Sequence, residues 1–111
     1  MSISTHVLDA AAGTPAAGMA LRLERLDDGR PQPLGAGITN SDGRCPELGR
    51  DLQLSAGVHR IGFETGAWFA ERGQRTFYPV VEVVFEVTDP QAHHHVPLLL
   101  SPFAYSTYRG S

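Results

Sequence analysis

Short stretches in which apolar and polar residues alternate constrain the fold of this sequence more than any other feature. Clusters of Gly, Pro, Asn and Asp separate these stretches about every ten residues, a spacing typical of β-sandwiches. The clearest stretch runs from Val80 to Thr88, with Val81 and Val83 on one face and Glu82 and Glu86 on the other. The alternation therefore predicts an all-β chain that folds into two packed sheets.

The same alternation and the intervening turn residues predict the individual elements. A short helix is expected over Gly66–Arg72, with Thr65 as its N-cap and Gly73 closing it. A slip in the alternation at Arg25 and Leu26 predicts a β-bulge. The predicted strands are Ile3–Asp9, Met19–Leu26, Leu34–Thr39, Val58–Glu64, Val80–Thr88, His93–Leu100 and Ala104–Arg109.

Length and charge limit the function classes. With 111 residues, of which 41% are hydrophobic, the chain is expected to form a single domain over residues 1–111. A core of that size leaves little room for a deep cavity, so a sizeable pocket forms more easily between subunits. The net charge of −3 argues against a nucleic-acid partner. The sequence has Arg but no Lys, which excludes Schiff-base and lysine-nucleophile chemistry.

The cysteine content and the apolar segments indicate a compartment. Cys45 is the one cysteine, so an intramolecular disulfide and a cysteine metal cluster are excluded, and its position before Pro46 makes it a poor nucleophile candidate. The first residues lack the basic start and apolar stretch of a secretory signal. No segment approaches the roughly 20 apolar residues that span a bilayer. We therefore expect a reduced, cytoplasmic protein without a membrane partner.

Three consecutive histidines, His93, His94 and His95, lie on a predicted strand. Because side chains alternate along a strand, His94 shares a face with the aliphatic Val96 and Leu98 and is expected at the edge of the core. His93 and His95 point the other way. Two imidazoles on that face must contact something polar.

A zinc site is one reading of that face, since histidines two apart on a strand can reach one ion. No Asp, Glu or Cys lies at a familiar ligand spacing, and only folding would bring His6 close as a third ligand. No metal or cofactor is therefore predicted. Taken singly, His6, His59 and Arg44 are typical of solvated positions.

Four motifs together resemble the 5-hydroxyisourate hydrolases, the enzymatic branch of the transthyretin-like proteins. The resemblance covers essentially the whole chain, and its most diagnostic part is the ending Tyr-Arg-Gly-Ser. It implies a transthyretin-like β-sandwich of two four-stranded sheets with one short helix, assembled as a homotetramer with active sites where two dimers meet. The motifs are Ser4–Asp9, Thr39–Arg44, His95–Pro102 and Tyr105–Ser111.

The resemblance also implies the reaction and the residues for it. The reaction is hydrolytic opening of the six-membered ring of 5-hydroxyisourate in urate degradation, without a cofactor. The implied catalytic residues are His6 and His95, which activate water, and Arg44, which binds the oxygens. The ending Tyr-Arg-Gly-Ser, absent from hormone carriers of the transthyretin type, favours the enzyme over a carrier of an aromatic ligand. The implied substrate-binding residues are Ser106, Tyr108, Arg109, Gly110 and Ser111.

Three positions depart from the family pattern. His94 occupies a position that is usually aromatic, Trp68 one that is usually Tyr, and Val80 one that is often acidic. None of them is an implied catalytic position. The departures therefore bear on how the core and its edges pack.

Overall fold

The computed structural model describes residues 2–49 and 52–111. Over these residues the chain forms eight strands and one short α-helix, which confirms the predicted β-sandwich. Short 3₁₀ turns follow β3 and precede β5. The elements are β1 (Ser2–Asp9), β2 (Thr14–Pro15), β3 (Ala20–Arg25), β4 (Gln32–Ile38), β5 (Gly57–Phe63), α1 (Thr65–Glu71), β6 (Val81–Val87), β7 (His93–Ser101) and β8 (Ala104–Thr107).

The strands form two four-stranded sheets. In the first sheet the order is β2-β1-β7-β8, and in the second it is β4-β3-β5-β6. Strands β1 and β7 run parallel, with Ser4 opposite His95 and His6 opposite Pro97. Residues in register on neighbouring strands present their side chains to the same face. The parallel pairing thus brings the start of the chain beside the histidine strand.

The core lies between the two sheets and follows the predicted alternation. On β7, His94 is buried at 5% exposure together with Val96, Leu98 and Leu100, as expected. His59 is also buried, at 0% exposure, so the expectation of a solvated position was wrong. The reason is that β5 runs between β3 and β6 in the centre of its sheet, and His59 faces inward with the buried apolar residues of that strand.

The helix differs from the prediction at its first residue. Thr65 is already helical and Glu64 occupies the N-cap position, so the prediction of Thr65 as the N-cap was wrong. The hydroxyl of Thr65 instead donates to the carbonyl oxygen of Tyr78 at 2.7 Å, which ties the helix to the loop before β6. Gly73 follows the helix with φ +67°, the conformation expected for its predicted role.

Two further details of the sheets differ from the prediction. The register shift lies between Leu23 and Glu24, two residues before the predicted bulge. Strand β2, Thr14–Pro15, is not among the predicted strands, and it pairs with the end of β1 over two residues only. No helix in the described ranges is long and apolar enough to cross a membrane.

Candidate active site

The outer face of the first sheet carries a group of polar side chains near the starts of β1 and β7. Ser4 and His6 alternate with buried residues of β1, and His93 and His95 alternate with buried residues of β7, so all four face away from the core. Strand β8 pairs only with the second half of β7. Strand β8 therefore does not cover this edge of β7 before Leu98.

A tight turn positions Arg44 next to this group. The side-chain oxygen of Asn40 accepts hydrogen bonds from the backbone N–H groups of Asp42 (2.9 Å) and Arg44 (3.1 Å). The N–H of Val7 donates to the carbonyl oxygen of Gly43 at 2.8 Å, and an isolated bridge joins Arg44 to His6. The turn is thus attached to β1 at His6 and Val7.

The end of the chain folds back onto β7 beyond the last residue of β8. An isolated bridge joins Gly110 to His95, and the N–H of Gly110 donates to the carbonyl oxygen of His95 at 2.9 Å. A Cβ atom at position 110 would overlap the imidazole ring of His95. Only glycine therefore lets the backbone approach the ring this closely.

These segments enclose a depression of about 410 Å³. Its lining is polar or aromatic throughout, and no aliphatic side chain contributes to it. Six of the eight site residues that the resemblance implied contribute to it. The lining residues are Ser4, His6, Arg44, His93, His95, Tyr108, Gly110 and Ser111.

The other two implied residues lie elsewhere. Arg109 lines an adjacent cavity of about 290 Å³ beside β6, which shares Tyr108 and His95 with the first depression. Ser106 pairs with Leu99 and lines a separate depression of about 270 Å³. Strand β8 ends at Thr107, so the alternation that would put Ser106 and Tyr108 on one face stops between them.

Ser4 is a site residue that sequence reasoning did not single out. Its hydroxyl oxygen lies 2.7 Å from Nδ1 of His95 and 2.9 Å from Nε2 of His93. The two imidazole rings stack with a centroid distance of 6.3 Å and an interplanar angle of 14°. Ser4 is the polar partner that the alternation of β7 required, and its place in the first motif was the available signal.

The electrostatic environment of His95 favours its neutral form. Burial lowers the pKa of His95 below the ordinary histidine value, and the positive charge of Arg44 lowers it further. His93 and His6 act in the same direction, whereas a hydrogen bond with the backbone of Ser4 raises the pKa. A neutral imidazole near a guanidinium can accept a proton while the guanidinium binds a carbonyl or oxyanion oxygen.

The described part of the chain contains no group of three or more His, Cys, Asp or Glu side chains that could hold a metal ion. His93 and His95 both contact the hydroxyl of Ser4 and stack on each other. The depression presents imidazole, guanidinium and hydroxyl groups.

Comparison with known proteins identifies the family. The model of the HIUase/Transthyretin family matches residues 3–110. The chain belongs to this family. A 5-hydroxyisourate hydrolase from Mus musculus is 50% identical over 111 residues, which cover 98% of this chain and 94% of that protein.

Solved structures that resemble this chain include a hydrolase and a complex with thyroxine. The 5-hydroxyisourate hydrolase of Klebsiella pneumoniae superimposes with a TM-score of 0.87 at 38% identity, and the match covers all of both chains. Sea bream transthyretin in complex with thyroxine gives a TM-score of 0.90 at 36% identity over 97% of this chain and 93% of that one. Because both superimpose well, the fold does not separate the two functions, and the site residues must.

Proposed function

We propose that this protein is a 5-hydroxyisourate hydrolase. It opens the six-membered ring of 5-hydroxyisourate to give 2-oxo-4-hydroxy-4-carboxy-5-ureidoimidazoline, on the route from urate to allantoin. The observation that carries the proposal is the convergence of His6, Arg44, His95 and the chain ending in one polar depression. The relative with 50% identity over nearly the whole chain supports the same activity.

In the proposed reaction His6 and His95 activate the attacking water. Burial keeps the pKa of His95 low, so its imidazole is a neutral base at neutral pH. Positioned acid–base groups of this kind are typically worth about 10²–10⁴ in rate. Arg44 binds the oxygen of the attacked carbonyl and stabilises the charge that develops there, a contribution of about 10²–10³ in turnover.

The end of the chain supplies the substrate-binding surface in this proposal. Tyr108 borders both cavities and is 60% exposed, so its ring is available to stack on a planar substrate. Gly110 and Ser111 form the wall next to His95. Arg109 and Ser106 act from the neighbouring depressions.

We propose a homotetramer, a dimer of dimers, as the working form, with residues 1–111 as one hydrolase domain. The depression lies open on the outer face of a sheet, and a facing copy would close it into a channel. Strand β8 is an exposed edge, and Phe103 beside it is 70% exposed, which suits burial against another subunit. Light scattering measures the mass of the assembly, and a monomer would contradict the proposal.

We also propose that the protein acts in the cytoplasm. Cys45 is 3% exposed, and burial raises the pKa of its thiol to about 11, so the thiol stays protonated and unreactive. A protein with one buried thiol forms no intramolecular disulfide and so does not need an oxidising compartment to fold. Fractionation of cells that make the protein tests the location.

A carrier of an aromatic ligand is the second candidate, favoured by the likeness to sea bream transthyretin. The lining of the depression argues against it, because ligand pockets are predominantly apolar and this lining has no aliphatic side chain.

One assay separates the two candidates. Urate oxidase and urate generate 5-hydroxyisourate in the cuvette, and the ultraviolet absorbance follows its decay. The hydrolase proposal requires the purified protein to accelerate this decay many-fold. If the acceleration survives exhaustive chelation, a metal-dependent mechanism is excluded. Unchanged decay together with saturable binding of thyroxine would replace the hydrolase with the carrier.

A further inference from the structure

The hydroxyl of Ser4 lies between two imidazole rings and within hydrogen-bond distance of both. It is 2.7 Å from Nδ1 of His95 and 2.9 Å from Nε2 of His93. The pairing of β1 with β7 fixes this position, because Ser4 is in register with His95 in the parallel ladder. The contact is thus built into the sheet.

A hydroxyl has one proton, which limits how these two hydrogen bonds are made. If Ser4 donates to Nδ1 of His95, then Nε2 of His93 must carry a proton and donate to Ser4. If Ser4 donates to Nε2 of His93, then Nδ1 of His95 must carry the proton. In both arrangements the two neutral rings have the same tautomer. A third arrangement, in which both rings donate to Ser4, would pass no proton between them and would give unlike tautomers.

We propose that Ser4 and His93 are positioning residues for His95, and that they form a relay which sets its tautomer and takes up the proton it gains. The inference rests on the proposed hydrolase activity for its kinetic part only. Since Nδ1 of His95 is bound to Ser4, Nε2 is the nitrogen that acts on the substrate. In the reactive arrangement both rings carry their proton on Nδ1.

The proton balance of the relay closes over one turnover. When water attacks the ring carbonyl, its oxygen bonds to the carbon and one of its protons moves to Nε2 of His95. The Nδ1 proton of His95 then moves to the Ser4 oxygen, as the Ser4 proton moves to Nε2 of His93. When the C–N bond breaks, Nε2 of His95 gives its proton to the leaving nitrogen. The relay runs backwards, and all three side chains regain their starting protons.

The charges around His95 explain why a relay is useful there. A positive charge on His95 is disfavoured because the ring is partly buried and lies near Arg44, and both lower its pKa. His93 is exposed, so a positive charge on it is solvated. The ionisable groups around His95 are His93 on its own strand, His6 on β1, Arg44 on the turn and Tyr108 on the chain ending. Glu86 of β6 and Arg109 lie across the adjacent cavity that His95 also borders. Moving the proton to His93 takes the charge away from the partly buried ring.

The tautomers are measured directly on the whole protein with ¹⁵N-labelled histidine. Long-range ¹H–¹⁵N spectra at a pH where both rings are neutral distinguish Nδ1–H from Nε2–H. We expect His93 and His95 to share one tautomer in the wild type and to lose this match in Ser4→Ala. Unlike tautomers in the wild type, with Nδ1–H on His95 and Nε2–H on His93, would overturn the relay.

The kinetic test uses Ser4→Ala, His93→Phe and the double variant. Phe keeps the ring stacking against His95 but has no nitrogen. Each single change should lower kcat about 10-fold with KM nearly unchanged and shift the pH profile of kcat. The kcat of the double variant should be no lower than that of either single variant, since the residues act as a unit. Ser4→Thr retains a hydroxyl and should restore most of the rate.

The control is Ser55→Ala, an exposed serine before β5 of the other sheet, whose hydroxyl accepts a hydrogen bond from Arg25 away from the depression. It should leave rate, pH profile and tautomers unchanged. Multiplicative losses in the double variant, or a pH profile of Ser4→Ala identical to the wild type, would contradict the relay. If the wild type lacks hydrolase activity, the proposed function fails, and the tautomer measurement still decides whether the relay exists.

Discussion

The backbone N–H of Gly110 donates a 2.9 Å hydrogen bond to the carbonyl oxygen of His95, and a side chain at position 110 would overlap the imidazole ring. This contact holds the end of the chain against the histidine strand after β8 has finished at Thr107. Terminal residues of a domain usually fray unless something ties them down. Here the hydrogen bond between Gly110 and His95 lies inside the candidate site, so the terminal residues form part of the wall of the site.

The contact predicts the effect of Gly110→Ala. The added methyl group must push the His95 ring away or detach the chain ending, so we expect kcat/KM to fall at least about 10-fold. The position lies near the chain end, and the free energy of unfolding should change by less than about 1 kcal/mol. Decay of 5-hydroxyisourate and urea unfolding measure the two quantities. A wild-type rate would show that the ring position does not matter.

Deleting Tyr108–Ser111 should abolish activity and leave the sandwich folded. The deletion removes the wall of the depression, whereas strand β8 ends at Thr107 and stays complete. A tag added after Ser111 should impair activity for the same reason, while a tag before Met1 serves as the comparison. Circular dichroism checks the fold. Full activity in the truncated chain would contradict the assignment of these residues to the site.

His6→Ala, His95→Ala and Arg44→Ala should each lower kcat about 10²-fold or more, because each removes a proton acceptor or a hydrogen-bond donor to the substrate oxygen. Arg30→Ala is the matched control, since Arg30 is an exposed arginine in the loop before β4. The assembly mass of every variant is measured by light scattering. If all three site variants keep wild-type rates, the catalytic assignment is wrong.

His59 should make stability depend on pH. Burial lowers the pKa of His59 in the folded protein, and Nε2 of this ring has no hydrogen-bond partner among the described residues. The unfolded chain therefore binds a proton near pH 6.5, about the ordinary histidine pKa, at a pH where the folded protein does not. Stability from this group is present above that pH and is lost as the pH falls towards the lowered pKa.

The variant His59→Phe isolates this contribution. The Phe ring can stack on Phe85, as the imidazole does at a centroid distance of 5.9 Å, but it does not titrate. Urea unfolding at pH 8 and at pH 5 should show a smaller loss of stability in the variant than in the wild type. His95 has a pKa shifted in the same direction and remains in both proteins, so the difference reports His59. Equal losses would contradict the prediction.

The alternation of residues predicted most of the strands because it is a local property. On β7 it placed His94 inward and His93 and His95 outward, and the structure agrees. It misjudged His59, because burial of a strand residue depends on what covers its face as well as on its direction. The two residues of β2 were also missed, since a strand so short exists only through its pairing with β1.

The candidate site was predictable only as a set of separate motifs. Their resemblance to a known family grouped His6, Arg44, His95 and the chain ending. It did not identify Ser4, and it did not separate Arg109 and Ser106 from the depression that holds the other residues. Those distinctions depend on where β8 stops and on how the last residues leave the sheet.

The sequence by itself determined most of the strands, the alternation of side chains along them and the presence of two outward-facing imidazoles on β7. These properties follow from a repeat of two residues and need no knowledge of distant segments. Only the tertiary structure decided that β1 lies parallel to β7, which brings Ser4 to His95, and that Gly110 returns to the same ring. Which strands become neighbours depends on how all segments together bury the core. This is a cooperative property that cannot be read from any single segment.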